Sequence, residues 1–191
     1  MSLRERKKIQ TKETIRRHAL RLFTERGYAE TTVEQVAEAA EVSPSTVFRY
    51  FATKERLIVS DGADPAVADA FRAQPPELSP VQAVRAAFRA AFAGLSEVEL
   101  AERRDTRLLV LTVPELWAAS LDNIKANQAM LASLVAERTG RAEDDPAVLS
   151  FVGAVFGIML QVWLSWSERP ELPDLSTLDE ALGYLERGLP L

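Results

Sequence analysis

The side chains best suited to touching another molecule lie between Thr31 and Lys54. Ser43, Ser45 and Thr46 are short hydroxyl residues that donate or accept a hydrogen bond without bulk. Hydroxyls of this kind at the start of a helix can approach base edges and phosphates in a major groove. Phe48, Arg49 and Tyr50 follow on the same outer side, and Lys54 closes the stretch. A tyrosine hydroxyl and an ammonium at a helix start suit phosphate oxygens, which hold a protein in place without reading sequence. Thr32 offers one more hydroxyl at the preceding helix start.

These side chains need two short helices and a tight turn to present them. Thr32 caps the first helix, with Gln35 three residues on completing a capping box. Val33, Val36, Ala37 and Ala40 share one face at helical spacing. Ser43 caps the second helix, and Pro44 takes its first position, where a missing N–H costs least. Val42, Val47 and Phe51 turn inward, leaving Ser45, Thr46, Arg49 and Tyr50 outside. Gly27 ends the helix before the pair, and Thr53 is placed to cap a third helix beginning at Lys54. An ordinary helical hairpin would explain any one of these starts. The three starts with this outer face point to a DNA-reading helix-turn-helix.

Residues 11–57 resemble the DNA-binding domain of the TetR family of transcriptional regulators. The matching residues are Ile15, Ala19, Phe23 and Gly27, then Thr31-Thr32-Val33, Val36-Ala37, Ala40, Val42-Ser43, Ser45-Thr46-Val47-Phe48, Tyr50-Phe51 and Lys54-Glu55-Leu57. The resemblance implies DNA contacts at Thr32, Thr46, Phe48, Tyr50 and Lys54. Two positions depart from the family pattern. Phe48 stands where tyrosine is usual and loses a phosphate hydrogen bond. Glu41 stands where glycine is usual and has to adopt a left-handed conformation or reshape the turn.

Charge divides the chain in the same place. Residues 1–60 hold 12 Lys and Arg against 8 Asp and Glu, while residues 61–191 hold 11 against 20. The basic end includes Lys7 and Lys8, the expected phosphate contacts of an N-terminal arm. A solvated tail is the plainer reading of those lysines. The expected domains are a DNA-binding helix-turn-helix domain at 1–57 and an effector-binding and dimerisation domain at 58–191. With no cysteine, disulfides and thiolate metal sites are ruled out. His18 is the sole histidine, and no recognisable catalytic motif is present, so neither an enzyme, a metal site nor a cofactor is expected. The start of the chain has no apolar signal segment, and the run Phe151–Leu160 is too short to span a bilayer. A cytoplasmic protein without a membrane partner follows.

The rest of the chain reads as helix. The fold class is all-α, with about nine helices near 4–26, 32–40, 44–51, 53–72, 80–94, 97–111, 114–138, 146–167 and 177–188. Starts are marked by Asp64-Pro65, Ser79 with Gln82, Ser96 with Glu99, Asp145-Pro146 and Thr177 with Glu180. Pro65 has the power to split the fourth segment. Segment 146–167 is apolar nearly all round, including Trp166, so it needs cover on two sides. A second copy of the chain is the simplest cover, with Val152, Phe156, Trp163, Leu178, Leu182 and Leu185 at a dimer interface. Burial in a monomer core is the alternative. Phe88, Phe92, Trp117, Leu121, Phe151, Val155 and Met159 suggest an apolar effector pocket, with Arg107 and Asn127 as polar contacts. Ordinary core packing is the plainer reading of each apolar residue, and a surface or interhelix place that of Arg107 and Asn127. The expected function is a ligand-responsive repressor that binds a palindromic double-stranded DNA operator as a homodimer and is released by a small, largely apolar effector. A helical ligand-binding protein with weakened or lost DNA binding is the rival.

Overall fold

Local capping residues set where most helices begin. The computed structural model describes residues 2–59, 65–168 and 174–190. Among them it holds nine α-helices and no strand: α1 Leu3–Arg26, α2 Val33–Ala39, α3 Pro44–Tyr50, α4 Pro65–Arg72, α5 Pro80–Phe92, α6 Glu97–Thr112, α7 Pro114–Thr139, α8 Pro146–Glu168 and α9 Asp174–Glu186. The all-helical expectation is met. Thr32 with Gln35 and Ser79 with Gln82 form the expected capping boxes. Ser96 accepts from the Glu99 N–H at 3.3 Å, while the Glu99 carboxylate accepts from the Ser96 N–H at 2.8 Å. Asp145 accepts from the Ala147 N–H at 2.8 Å and opens α8.

Two helix expectations are corrected. Residues 53–72 are not one helix: Glu55–Leu57 is a single 3₁₀ turn, and α4 begins at Pro65. Lys54 precedes that turn without any side-chain cap, and Thr53 instead hydrogen-bonds the Glu55 carboxylate. Asp64 lies outside the described residues. Thr177 falls within α9 and does not start it, because the helix already runs from Asp174.

Two compact units divide the packing. The first comprises the described residues of Met1–Asp61 with Ala101–Leu121. Its core gathers Ile15, Leu22, Phe23, Val36, Val47, Phe51 and Leu57. Leu116 is completely buried in this cluster, and Leu109, Val110, Val113 and Ala119 pack against it. The spacing 109, 113, 116 puts one apolar stripe across the α6–α7 corner, where Pro114 starts the new helix. Segment 101–121 therefore packs with the helix-turn-helix, although the sequence grouped it with the later helices.

The second unit comprises the described residues of Gly62–Leu100 with Asp122–Leu191. There α5 packs against α4 and α9, and α8 packs against α9. Val148, Val152, Val155, Met159 and Val162 form the buried stripe of α8, and Leu178 and Leu182 that of α9. The opposite side of α8 leaves Leu149 and Leu164 exposed, with Gly153 and Gly157 between them. Pro146–Ser165 is long and apolar enough to cross a bilayer by length and composition alone, a test that the core helix of a soluble protein also passes. The side chain of Trp166 lies outside the described residues.

Candidate nucleic-acid interface

A loop and turn pinned from inside carry the recognition residues. Thr31 is completely buried, and its hydroxyl donates to the Gly27 carbonyl at 2.9 Å, with the Leu22 carbonyl at 3.3 Å. It ties the end of α1 to the start of α2. A buried hydroxyl without such partners would be costly, so this pair fixes the loop as well as satisfying it. Between α2 and α3, Glu41 has φ +54°, the left-handed conformation that glycine would adopt without strain. Its N–H reaches the Glu38 carbonyl at 3.0 Å, and the Val42 N–H reaches the Ala37 carbonyl at 2.9 Å. These are the two bonds of a Schellman helix end. Glu41 therefore keeps the turn geometry at the cost of strain.

At the start of α3, three hydroxyls gather. Ser43 Oγ accepts from the Thr46 N–H at 3.2 Å and lies 2.9 Å from both Ser45 Oγ and Thr46 Oγ1. The cap thus holds two further hydroxyls in place. Ser43, Ser45, Phe48 and Arg49 are exposed, while Thr46 is half-buried. Val47 and Phe51 are buried, as their spacing predicts. Tyr50, expected outside, is half-buried and packs against the core cluster, with the Arg49 guanidinium 5.3 Å above its ring. Phe48 presents its ring to solvent with half of its surface, 51%, exposed.

Lys54 is held by the protein itself. Its Nζ donates to the Tyr28 carbonyl at 2.5 Å and sits 4.1 Å from the Tyr28 ring centre and 5.5 Å from that of Phe23. Tyr28 Oη in turn donates to Glu55 Oε1 at 2.9 Å. Burial, seconded by the Glu55 hydrogen bond, pushes the Tyr28 hydroxyl well above its ordinary range. The Thr53 hydrogen bond, helped by that from Tyr28, holds the Glu55 carboxyl below its ordinary range. The 3₁₀ turn is thereby fastened to the α1–α2 loop, and one of the three Lys54 protons is already committed.

The arm is the exposed start of α1, where Lys7 and Lys8 stand with Arg4 and Arg6. Ser2 and Glu5 form a capping box that keeps it helical. Lys12 and Arg16 lie 5.6 and 5.4 Å over the Phe51 ring, linking this basic face to α3. Burial, with the nearby Arg21 and Arg17, lowers the His18 pKa from its ordinary range. No group of metal-ligating residues occurs among the described residues.

Two cavities among the described residues of the second unit take different members of the expected effector set. Phe88 and Phe92 line a cavity of about 180 Å³ between α5 and α9. Phe151 lines a separate one of about 140 Å³ with Val135, Thr139 and Val148. Val155 and Met159 are buried packing residues of α8. The Asn127 side-chain amide donates to the Asn123 carbonyl of its own helix at 2.7 Å. Arg107, Trp117 and Leu121 belong to the first unit. Arg85, Arg89 and Asp179, which also line the first cavity, carry no local sequence signal, because Asp179 stands 94 and 90 positions from the two arginines. The expected interface set also divides. Val152, Leu178 and Leu182 are buried inside the second unit. Phe156, Trp163 and Leu185 are half-buried, while Leu149, Leu164 and Tyr184 are exposed.

Comparisons with known proteins agree in both halves. Residues 15–60 match the family model for bacterial regulatory proteins of the tetR family, and residues 78–190 match that of the MftR C-terminal domain. The HTH-type transcriptional regulator TcmR of Streptomyces glaucescens is 39% identical over 162 residues, covering 81% of this chain and 71% of that one. The putative mycofactocin biosynthesis transcriptional regulator MftR of Mycobacterium tuberculosis is 28% identical over 173 residues, covering 86% and 82%. Among solved structures, the TetR-family repressor FadR of Thermus thermophilus in complex with lauroyl-CoA superposes with a TM-score of 0.58 at 25% identity, covering 94% of this chain and 95% of that one.

Proposed function

This chain belongs to the TetR family of bacterial regulatory proteins and is a DNA-binding transcriptional regulator, and on that premise we propose that it is a ligand-responsive repressor. It binds a palindromic operator as a homodimer and leaves it when a small, largely apolar effector binds. The observation that carries the reading is the hydroxyl cluster of Ser43, Ser45 and Thr46, fixed at the start of α3 beside exposed Phe48 and Arg49. Thr46 and Ser45 read base edges, and Ser43 and Thr32 add phosphate contacts. Lys7 and Lys8 supply sequence-independent attraction to phosphates. Lys54 adds a phosphate contact through the protons that Tyr28 does not take.

Dimer formation is supported by the outer side of α8, where Leu149 and Leu164 flank Gly153 and Gly157, and by Tyr184 on α9. An exposed apolar stripe of this kind gains by burial against its own copy. The apolar effector is supported by the cavities of the second unit, whose walls are largely aliphatic and aromatic. FadR, the structural relative, binds lauroyl-CoA. An effector releases DNA only if it binds the non-binding conformation more tightly than the other. Selection from a random DNA pool tests the reading. It is expected to return inverted repeats with half-sites about one helical turn, or a small multiple of it, apart. Recovery of asymmetric sites alone would reject the palindromic dimer.

A further inference from the structure

The cavity between α5 and α9 has one apolar side and one charged rim. Phe88 and Phe92 stack with ring centres 6.2 Å apart and an interplanar angle of 23°. Leu178 and Leu182 face them from α9. At the rim, Asp179 gathers two guanidinium groups. Arg89 donates to it at 2.8 and 2.6 Å, and Arg85 at 3.2 and 3.0 Å. Arg85 also binds Glu186, which accepts from the Gln82 amide at 2.8 Å as well. Arg187 stands beside the same cluster, near Arg85 at Gly183. Its guanidinium lies 4.6 Å over the Tyr184 ring. The charged groups that line the cavity itself are Arg85, Arg89 and Asp179, an excess of one positive charge there.

Size and charge together select the occupant. This crevice is open on one side and holds about 180 Å³, of the same order as the roughly 150 Å³ enclosed apolar cavity that accepts benzene. One aromatic ring with one small substituent fills it. The Arg89 side chain is 63% exposed and offers a planar fork of donors at the mouth. Resting on the reading that the second unit takes a small effector, we infer that this crevice binds a single-ring aromatic monoanion. The ring lies against Phe88, Phe92, Leu178 and Leu182. The ligand carboxylate takes the place of Asp179 on Arg89, while Asp179 keeps Arg85. The excess positive charge of the cluster is then neutralised. Because Asp179 is part of α9, the exchange loosens the tie between α5 and the helix that exposes Tyr184.

Isothermal titration of the full-length protein with benzoate, benzyl alcohol and hexanoate tests the assignment. Benzoate is expected to bind more tightly than either of the others. Arg89→Gln is expected to weaken benzoate about tenfold, the loss of a charge-assisted contact, and to leave benzyl alcohol unchanged. Asp179→Asn removes the competing carboxylate and is expected to tighten benzoate. Circular dichroism and thermal melting establish that each variant folds, and the exposed Arg89→Gln variant gives the decisive comparison if Asp179→Asn does not. Equal binding of benzoate and benzyl alcohol, no benzoate binding, or indifference to Arg89→Gln overturns the inference. Operator selection without ligand is scored separately. A protein that selects an operator but ignores benzoate loses this inference and keeps the regulator reading, whereas one that selects no operator loses the regulator reading.

Discussion

The two units hold their shapes by different means. In the first, buried or half-buried polar pins lock short segments: Thr31 on Gly27, Lys54 on Tyr28, and Tyr28 on Glu55. In the second, apolar stripes on α8 and α9 do the packing, cavities remain between helices, and ion pairs sit at their rim. The contrast matches what each unit has to do. A side chain that reads a base edge has to be held to within a fraction of an ångström by rigid neighbours. A unit that admits a ligand needs unfilled volume and walls that tolerate exchange.

The largest effects come from breaking the packing on either side of the comparison. Val152→Arg buries an unpaired charge inside the second unit and is expected to cost at least about 3–5 kcal/mol. Phe156→Arg is expected to leave a folded protein that sediments as a monomer. If Val152→Arg gave the folded monomer instead, the division of α8 into inner and outer sides would be wrong. Leu116→Ala is expected to cost about 2–5 kcal/mol through the cavity it leaves. Hydrogen exchange should then quicken in α1 and α2, because Leu116 packs among their side chains. Quickening confined to α8 and α9 would contradict the placement of segment 101–121.

Smaller changes probe the pins and the rim. Thr31→Val keeps the shape but removes the hydroxyl, and is expected to cost roughly 1–3 kcal/mol. Hydrogen exchange at residues 27–32 is expected to rise most, and a uniform rise over both units would show that Thr31 does not pin this loop. Acid probes the rim as well. The Arg89 and Arg85 hydrogen bonds hold the Asp179 carboxyl below its ordinary value of 3.8. A carboxyl lowered by folding stabilises the fold above its unfolded pKa and loses that contribution as pH falls through the folded one. Thermal melting of the second unit should therefore weaken as pH drops below about 4, the ordinary carboxylate range. Asp179→Asn should flatten part of that dependence, and an unchanged acid profile in the variant would remove Asp179 from the account. The smallest change is Glu41→Gly, which relieves a left-handed residue and is expected to stabilise the first unit by about 1 kcal/mol, as seen by denaturant melting. Destabilisation would show that the turn is not strained.

Legibility in the sequence follows the same division. The helix-turn-helix could be read because its signals are local. Thr32 and Ser43 cap helices whose next residues they touch, and Glu41 stands three residues from its own carbonyl partner. The 3₁₀ turn reads as a helix in the sequence because Thr53 resembles a cap, yet its hydroxyl goes to Glu55. In the second unit, partners such as Arg85 and Asp179 are 94 positions apart, beyond any periodic pattern. Periodicity showed that α8 is apolar all round but not which side its own unit covers. Val152 and Phe156 look alike in sequence, and only packing separates them. Leu116 was likewise unreadable, since nothing near Pro114 signals a return to the first core.

The central claim is that the hydroxyl cluster reads sequence while the basic arm supplies attraction. It is tested most directly by measuring Thr46→Ala and Lys8→Ala against a library of operator variants at several salt concentrations. Lys8 is exposed, so its substitution leaves the fold undisturbed, unlike that of the internally bonded Lys54. Thr46→Ala is predicted to reorder preference among variants by about 1–3 kcal/mol, and Lys8→Ala to weaken all of them alike with a salt slope shallower by about one unit. Uniform weakening by Thr46→Ala, or a changed preference in Lys8→Ala, would contradict the account.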